Sequence, residues 1–256
     1  MSTIHVVDPV TRFVQDVDAN EALSHRLGAY SPTEVVVVGC LLCKLNLPIP
    51  IANKILHLAG FLTGFFEETD EIVQERANVD REYLRLAIPD EMGHETLQLE
   101  ECVSLTIECI SRDQGWASDD PHLNNTYEGC HSWIEFTIKD ENGNDVMPRQ
   151  DVCRNFRANS SYRHHMIQWR DPAILSHLQP GNHIVVYIRA IYPGWANLAK
   201  YARITVAFAA GLKDSVDTTQ LLKTFLPTSP PGGNFITQGL ESLVAHVGGP
   251  TACLLM

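Results

Sequence analysis

The sequence predicts a mainly β protein: an antiparallel β-sandwich, jelly-roll-like, with a helical N-terminal segment and a short C-terminal helix and tail. Three observations carry that expectation. Through residues 102–210 apolar side chains alternate with polar ones at period two, the spacing of a half-buried strand. Turn signals divide this stretch: Glu141-Asn142-Gly143-Asn144, Pro172, Pro180-Gly181 and Pro193-Gly194. Nothing between the strands is long enough for a crossover helix, so the strands must pair antiparallel.

Residues 1–61 are expected to be mostly helical. Ile51, Ile55, Leu58 and Ala59 recur at helical spacing behind Pro50, while the β-branched run Val35–Val38 suggests at most one short strand. Residues 62–101 hold twelve acids and three arginines, a local charge of −9. Such a run reads as a solvated acidic connection.

Residues 102–210 form the sandwich. Val103, Leu105, Ile107 and Cys109 alternate with Ser104, Thr106 and Glu108; Ile134, Phe136 and Ile138 alternate with Trp133, Glu135, Thr137 and Lys139. Further strands are expected at 164–170, 184–190 and 204–208, and the polar loop from Arg112 to His131 would cap one end. In residues 211–256, Asp217–Leu226 suggests a short helix, and the rest a tail packing on the sandwich.

Composition bounds the function. The chain has 256 residues and 45% apolar content, enough to bury roughly 70–75% of its unfolded surface. Its net charge of −12 argues against a nucleic-acid or membrane-surface partner, both of which favour a basic face. The first 25 residues carry early acids and lack an apolar core, so no signal peptide is expected. Seven scattered cysteines then read as reduced thiols in a cytoplasmic protein. The last four residues, Cys253-Leu254-Leu255-Met256, match a prenylation signal, and only modification at Cys253 would bring the chain to a membrane.

An ordered set of short motifs follows: Asp113-Gln114-Gly115-Trp116, Ser132-Trp133-Ile134-Glu135, His164-His165-Met166-Ile167-Gln168-Trp169-Arg170 and Tyr192-Pro193-Gly194-Trp195. This set resembles a β-rich domain family of uncharacterised fungal proteins, over roughly residues 100–210. Upstream, Leu47-Pro48-Ile49-Pro50-Ile51 through Ala59 resembles a degenerate F-box helix. The resemblance implies a sandwich or jelly-roll fold and a fungal, intracellular setting. It brings no catalytic residues.

Cofactor chemistry finds little footing. Cys40 and Cys43 have knuckle spacing but no second pair, and adjacent His164 and His165 must face opposite sides of a strand, so no metal is expected. Neither a phosphate loop, a dinucleotide fingerprint nor a nucleophile elbow is present, and no cofactor is expected.

What remains is a polar and aromatic set placed opposite the Ile/Val/Phe positions: Trp133, Glu135, His165, Trp169, Tyr187 and Arg189. A loop rim of Asp113, Gln114, Trp116, Tyr192 and Trp195 adjoins it. Aromatic walls with a few convergent polar groups make a small-molecule site. The expected function is a cofactor-independent enzyme of cyclase, isomerase or dehydratase type, serving fungal secondary metabolism. His165, Glu135 and Asp113 would be its acid–base groups, and Trp116, Trp133, Trp169, Tyr187, Arg189, Tyr192 and Trp195 its substrate contacts. The expected partners are a small-molecule ligand and, at most, a second copy in a homodimer. Two alternatives stand beside it: a carbohydrate- or glycoprotein-binding module using Trp and Tyr as stacking platforms, and an adaptor whose residues 45–60 dock a partner helix. On the bland reading, Trp133 and Trp169 are packing residues and Glu135 pairs with Arg189 across strands.

Overall fold

The computed structural model describes residues 10–16, 30–90 and 94–225. Their elements run β1 (Val10–Asp16), α1 (Pro32–Lys44), α2 (Ile49–Leu58), β2 (Leu62–Thr69), β3 (Val73–Arg76), β4 (Val79–Ala87), β5 (Leu97–Arg112), β6 (Ser132–Lys139) and β7 (Gln150–Arg154). Then come β8 (Arg163–Trp169), α3 (Pro172–Leu175), β9 (His183–Ala190), β10 (Ala196–Leu212) and α4 (Thr218–Phe225). Two compact units result. Among the described residues, the first comprises 10–16, 64–90 and 99–209, and the second 30–63, 94–98 and 210–225.

The first unit is an antiparallel sandwich of two sheets, ordered β1-β8-β5-β10-β2 with β3 also on β10, and β4-β9-β6-β7. Its pairings nest: β6 with β7, β5 with β8, β4 with β9, β3 with β10. A chain folded back on itself in this way, then wrapped so that alternate pairs fall in opposite sheets, is a jelly roll. Nesting also sorts the connections. Those joining β3–β4, β5–β6, β7–β8 and β9–β10 gather at one end of the sandwich. Those joining β4–β5, β6–β7 and β8–β9 gather at the other, where the Ile88 amide reaches Asn182 O at 2.9 Å.

Period two fixes the interior. Ile134, Phe136 and Ile138 on β6 lie opposite Ile188, Val186 and Ile184 on β9, and all six are fully buried. From the other sheet, Leu105 and Ile107 pair with Trp169 and Ile167. Phe136 meets Trp169 across the gap, ring centres 4.8 Å apart. The turn at Glu141–Asn144 forms as expected: Asp140 Oδ1 accepts from the Asn142 and Asn144 amides, and Gly143 adopts φ +85°.

Three expectations need correction. The acidic stretch 62–101 is not a bare connection, because β2, β3, β4 and the start of β5 lie in it. On β4, Asp80, Glu82 and Arg85 occupy outward positions, while Tyr83, Leu84 and Leu86 join the core. The run Val35–Val38 is helical: Ser31 and Glu34 close a capping box and Pro32 opens the first turn, so local start signals override β propensity. The N-terminal strand is instead Val10–Asp16, paired with β8.

The second unit contains α1, α2 and α4, with α1 packed on both others. The Asn53 side chain brackets Leu212, donating to its carbonyl at 3.0 Å and accepting from its amide at 2.9 Å. An α2 side chain thus stands in for a strand neighbour. α2 buries Ala52, Asn53 and Leu56 and leaves Ile51, Ile55 and Leu58 exposed. No helix among the described residues is long and apolar enough to cross a membrane. Cys253 and the tail after Phe225 lie outside the described residues.

If Phe136 is the central spacer between the sheets, Phe136→Ala should destabilise the protein by about 3–5 kcal/mol, and Ile138→Val by about 0.5–1.5 kcal/mol. Urea denaturation midpoints measure both. Equal losses would mean that the Phe136–Trp169 contact has no special weight.

Candidate functional site

The structure sorts the expected site residues into three places. On the outer face of the second sheet, Trp133, Glu135, Tyr187 and Arg189 do come together, since Trp133 pairs with Arg189 and Glu135 with Tyr187. Their charges, however, are closed on one another. Glu135 Oε1 accepts from Arg189 and from Arg149, each at 2.7 Å, and Oε2 accepts the Trp133 indole N–H at 2.7 Å. Asp80 completes the ring, 2.8 Å from Arg149 and 3.4 Å from Arg189. Burial opposes the Arg149 charge, but hydrogen bonds to Asp80 and Glu135 outweigh it and raise its pKa. The Arg149 guanidinium also lies 3.9 Å from the centre of the Tyr187 ring, covering it. Glu135 and Arg189 therefore form the cross-strand ion pair of the bland reading, widened by Arg149 and Asp80. Two acids and two arginines cancel, and neither Glu135 oxygen is left without a donor.

His165 and Trp169 are elsewhere. They share the β8 face of Ile167, which is the core face, so they are not lining groups on the outside. Trp169 is core packing. The His165 ring sits against Tyr127, centres 5.9 Å apart, and its Nε2 has no hydrogen-bond partner. His164 faces the other way and meets Glu108 at 3.2 Å. The second sheet thus separates His165 from Glu135, and the three expected acid–base groups do not share a space.

Asp113, Trp116, Tyr192 and Trp195 meet at the end where four connections gather. Asp113 is fully buried and acts on backbone: Oδ1 accepts the Gly115 amide at 2.7 Å and Oδ2 the Ala158 amide at 2.6 Å. Burial raises its pKa, and the amides of Gly115, Ala158 and Asn159 pull it back. Gln114 ties two loops, donating to Trp116 O at 2.6 Å and accepting from the Ala196 amide at 3.0 Å. Gly115 supplies a φ of +89° that lets the chain turn there.

Residues not anticipated from the sequence complete this end. Arg157, from the β7–β8 connection, is fully buried. It donates to Gly129 O at 2.8 Å, to Asn124 Oδ1 at 3.3 Å and to Asp119 O, stitching down the long 113–131 loop. Asn155 joins Ser111, Ser132 and Asn197 in a buried network at 2.7–3.0 Å. Above these ties, His131 stands edge-on between Tyr192 and Trp195, ring centres 4.8 and 5.0 Å away. Burial lowers the His131 pKa from its ordinary value. Trp195 is buried beneath, whereas Trp116 is 58% exposed and Tyr192 55% exposed. Trp116 reaches across to the Gly194 turn, where a Cβ would lie 3.7 Å from its Cη2. The outcome is a rim of two open rings on loops held by buried polar ties.

His165 gives the unit a pH dependence. Burial lowers its pKa from 6.5 to about 4, so across that window the unfolded chain binds a proton that the fold does not. Stability should fall as pH drops from 6.5 towards 4, by about 1.4 kcal/mol per unit and about 3 kcal/mol in all. Denaturation at a series of pH values should show this slope, and His165→Phe should flatten it. A variant with an unchanged slope would place the titrating group elsewhere.

No family model matches the chain, and no curated protein matches it. Among solved structures it is similar to the enzymatically active domain of tailspike protein 4 of bacteriophage CBA120, at 11% identity and a TM-score of 0.25. That match covers 59% of this chain and 19% of the tailspike chain. A structure of infectious bursal disease virus, Gx strain, matches at 9% identity and a TM-score of 0.24, covering 73% of this chain and 50% of that one. The chain spans half or less of these structures, and scores of this size carry no argument about activity.

Proposed function

We propose that the protein is a recognition module and that its jelly-roll unit binds a carbohydrate or glycoprotein at the Trp116–Tyr192 rim. One observation carries this reading. Two large aromatic rings stay open to water on loops that buried Asp113 and Arg157, with half-buried Gln114, hold in place. Leaving such rings in water forgoes the stabilisation that packing would give, and flat aromatic faces suit the C–H faces of sugar rings. Because the loops are already ordered, little conformational entropy is lost on binding. The acid–base enzyme expected from the sequence has weaker support, since His165, Glu135 and Asp113 are engaged separately. A glycan array followed by calorimetry on the best hit tests the reading. Trp116→Ala and Tyr192→Ala should each weaken binding about tenfold or more, by analogy with the 1–3 kcal/mol of aromatic stacking on flat rings. Both rings are exposed, so melting temperatures should barely move. No glycan bound, or variants that bind like the parent, would overturn it.

A second reading rests on the other unit. In α2, Ile51, Ile55 and Leu58 are 47%, 37% and 78% exposed at i, i+4 and i+7, one stripe along the helix. Residues 44–61 carry Lys44 and Lys54 and no acid, within a chain of net charge −12. That stripe fits an amphipathic partner helix with acidic flanks, the helix-in-groove mode of an adaptor. Ile55→Asp with Leu58→Asp should abolish capture of such a helix while leaving glycan binding intact. Unchanged capture would remove α2 from the interface.

A further inference from the structure

The interior of the jelly roll holds a pair of sulfurs that neither reading uses. Cys109 lies on β5, at the inward positions shared with Leu105 and Ile107. Cys153 lies on β7, opposite Ile134, and is also inward. The two strands belong to different sheets. The thiols nevertheless meet in the core, with Sγ atoms 3.3 Å apart though the residues are 44 positions apart in sequence. Other thiols of this unit are occupied differently: Cys102 points to the carbonyls of Ser104 and Ala207, and Cys130 to Ser132. Both cysteines of the pair are free.

We propose that Cys109 and Cys153 form an inter-sheet disulfide when the protein folds in the presence of a small-molecule disulfide. The sulfurs are in van der Waals contact and need approach by only about 1.2 Å to reach bonding distance. β7 can supply that movement. It is an edge strand of five residues, paired with β6 alone in its sheet. The redox balance is that of thiol–disulfide exchange. The Cys153 thiolate, at the sheet edge, attacks a sulfur of oxidised glutathione, forming a mixed disulfide and releasing one glutathione thiolate. The Cys109 thiolate then attacks the Cys153 sulfur, closing the protein bond and releasing the second. Two protein thiols are oxidised by two electrons, one glutathione disulfide is reduced, and the two thiol protons end on the two glutathiones.

Burial keeps both thiols from reagents once the sandwich is closed, and the pairing with Cys153 together with burial raises the Cys109 pKa well above its ordinary value. The bond therefore forms as the sheets come together, which makes it a lock set during folding. It ties an edge strand of one sheet to an inner strand of the other.

The test is to refold the full chain from denaturant in a glutathione redox buffer and, in parallel, under dithiothreitol. Remaining thiols are alkylated, and peptides are mapped without reduction. The oxidised sample should yield one peptide pair joining Cys109 to Cys153. Its melting temperature should rise by roughly 5–10 °C, the scale for a loop of this length in a domain of this size, and return after reduction. Cys109→Ala and Cys153→Ala should each abolish both the peptide and the shift between redox states. A map showing no link, or links among other cysteines, overturns the proposal. So does a linked form that melts no higher than the reduced one. The map is made on the parent chain, so it decides even if a variant fails to fold.

Discussion

Nested antiparallel pairing is the constraint on which the jelly-roll unit depends. The innermost pair, β6 with β7, is closed by the turn that Asp140, Asn142 and Gly143 build. Each further pair encloses the last. Register set near that turn passes outward through β6–β9 and β5–β8, because a slip of one residue would carry Ile134, Phe136 and Ile138 from the interior to water. The apolar faces thereby fix more than stability. They decide which strand ends coincide, and so which loops can meet.

The loops that meet at the β5–β6 end would be difficult to order by apolar contact alone, since most of their residues are polar. Buried polar side chains order them instead. Asp113 accepts two amides, Asn155 links Ser111, Ser132 and Asn197, and Arg157 satisfies acceptors spread along the 113–131 loop. A buried charge without partners would be heavily penalised, so these groups define a single arrangement of the backbone around them. Trp116 and Tyr192 inherit that definition although neither is buried.

Much of this was legible in the sequence, and the failures have physical causes. The period-two runs of β5, β6 and β9, the Asn-Gly turn and the rim motifs at 113–116 and 192–195 all pointed to the observed elements. On β8, period two puts His165 and Trp169 on one face but could not say whether that face points inward, because both sides mix polar and apolar residues; the structure turns it to the core. The strands at 62–87 were hidden by charge: Asp80, Glu82 and Arg85 are outward positions, and their density resembled a solvated linker. β7 offered only Val152 and Cys153 as inward apolar residues, too few for a pattern. The ring around Glu135 needed Arg149 and Asp80, which come from stretches that read as a turn and a connection.

The contrast between the two polar regions supports the rim as the proposed binding surface. On the outer sheet face, Glu135, Asp80, Arg149 and Arg189 satisfy one another, and Arg149 covers Tyr187. A ligand there would have to break charge-assisted hydrogen bonds before making its own. At the rim, the polar groups are also satisfied, by loop backbone and by one another, and what they leave uncovered is aromatic surface. A ligand resting on Trp116 and Tyr192 displaces water and little else. The sheet face has its polar groups closed on one another, while the rim combines a fixed backbone with exposed aromatic surface at Trp116 and Tyr192. That asymmetry follows from nesting, which places four connections at one end and leaves the sheet faces to pair internally.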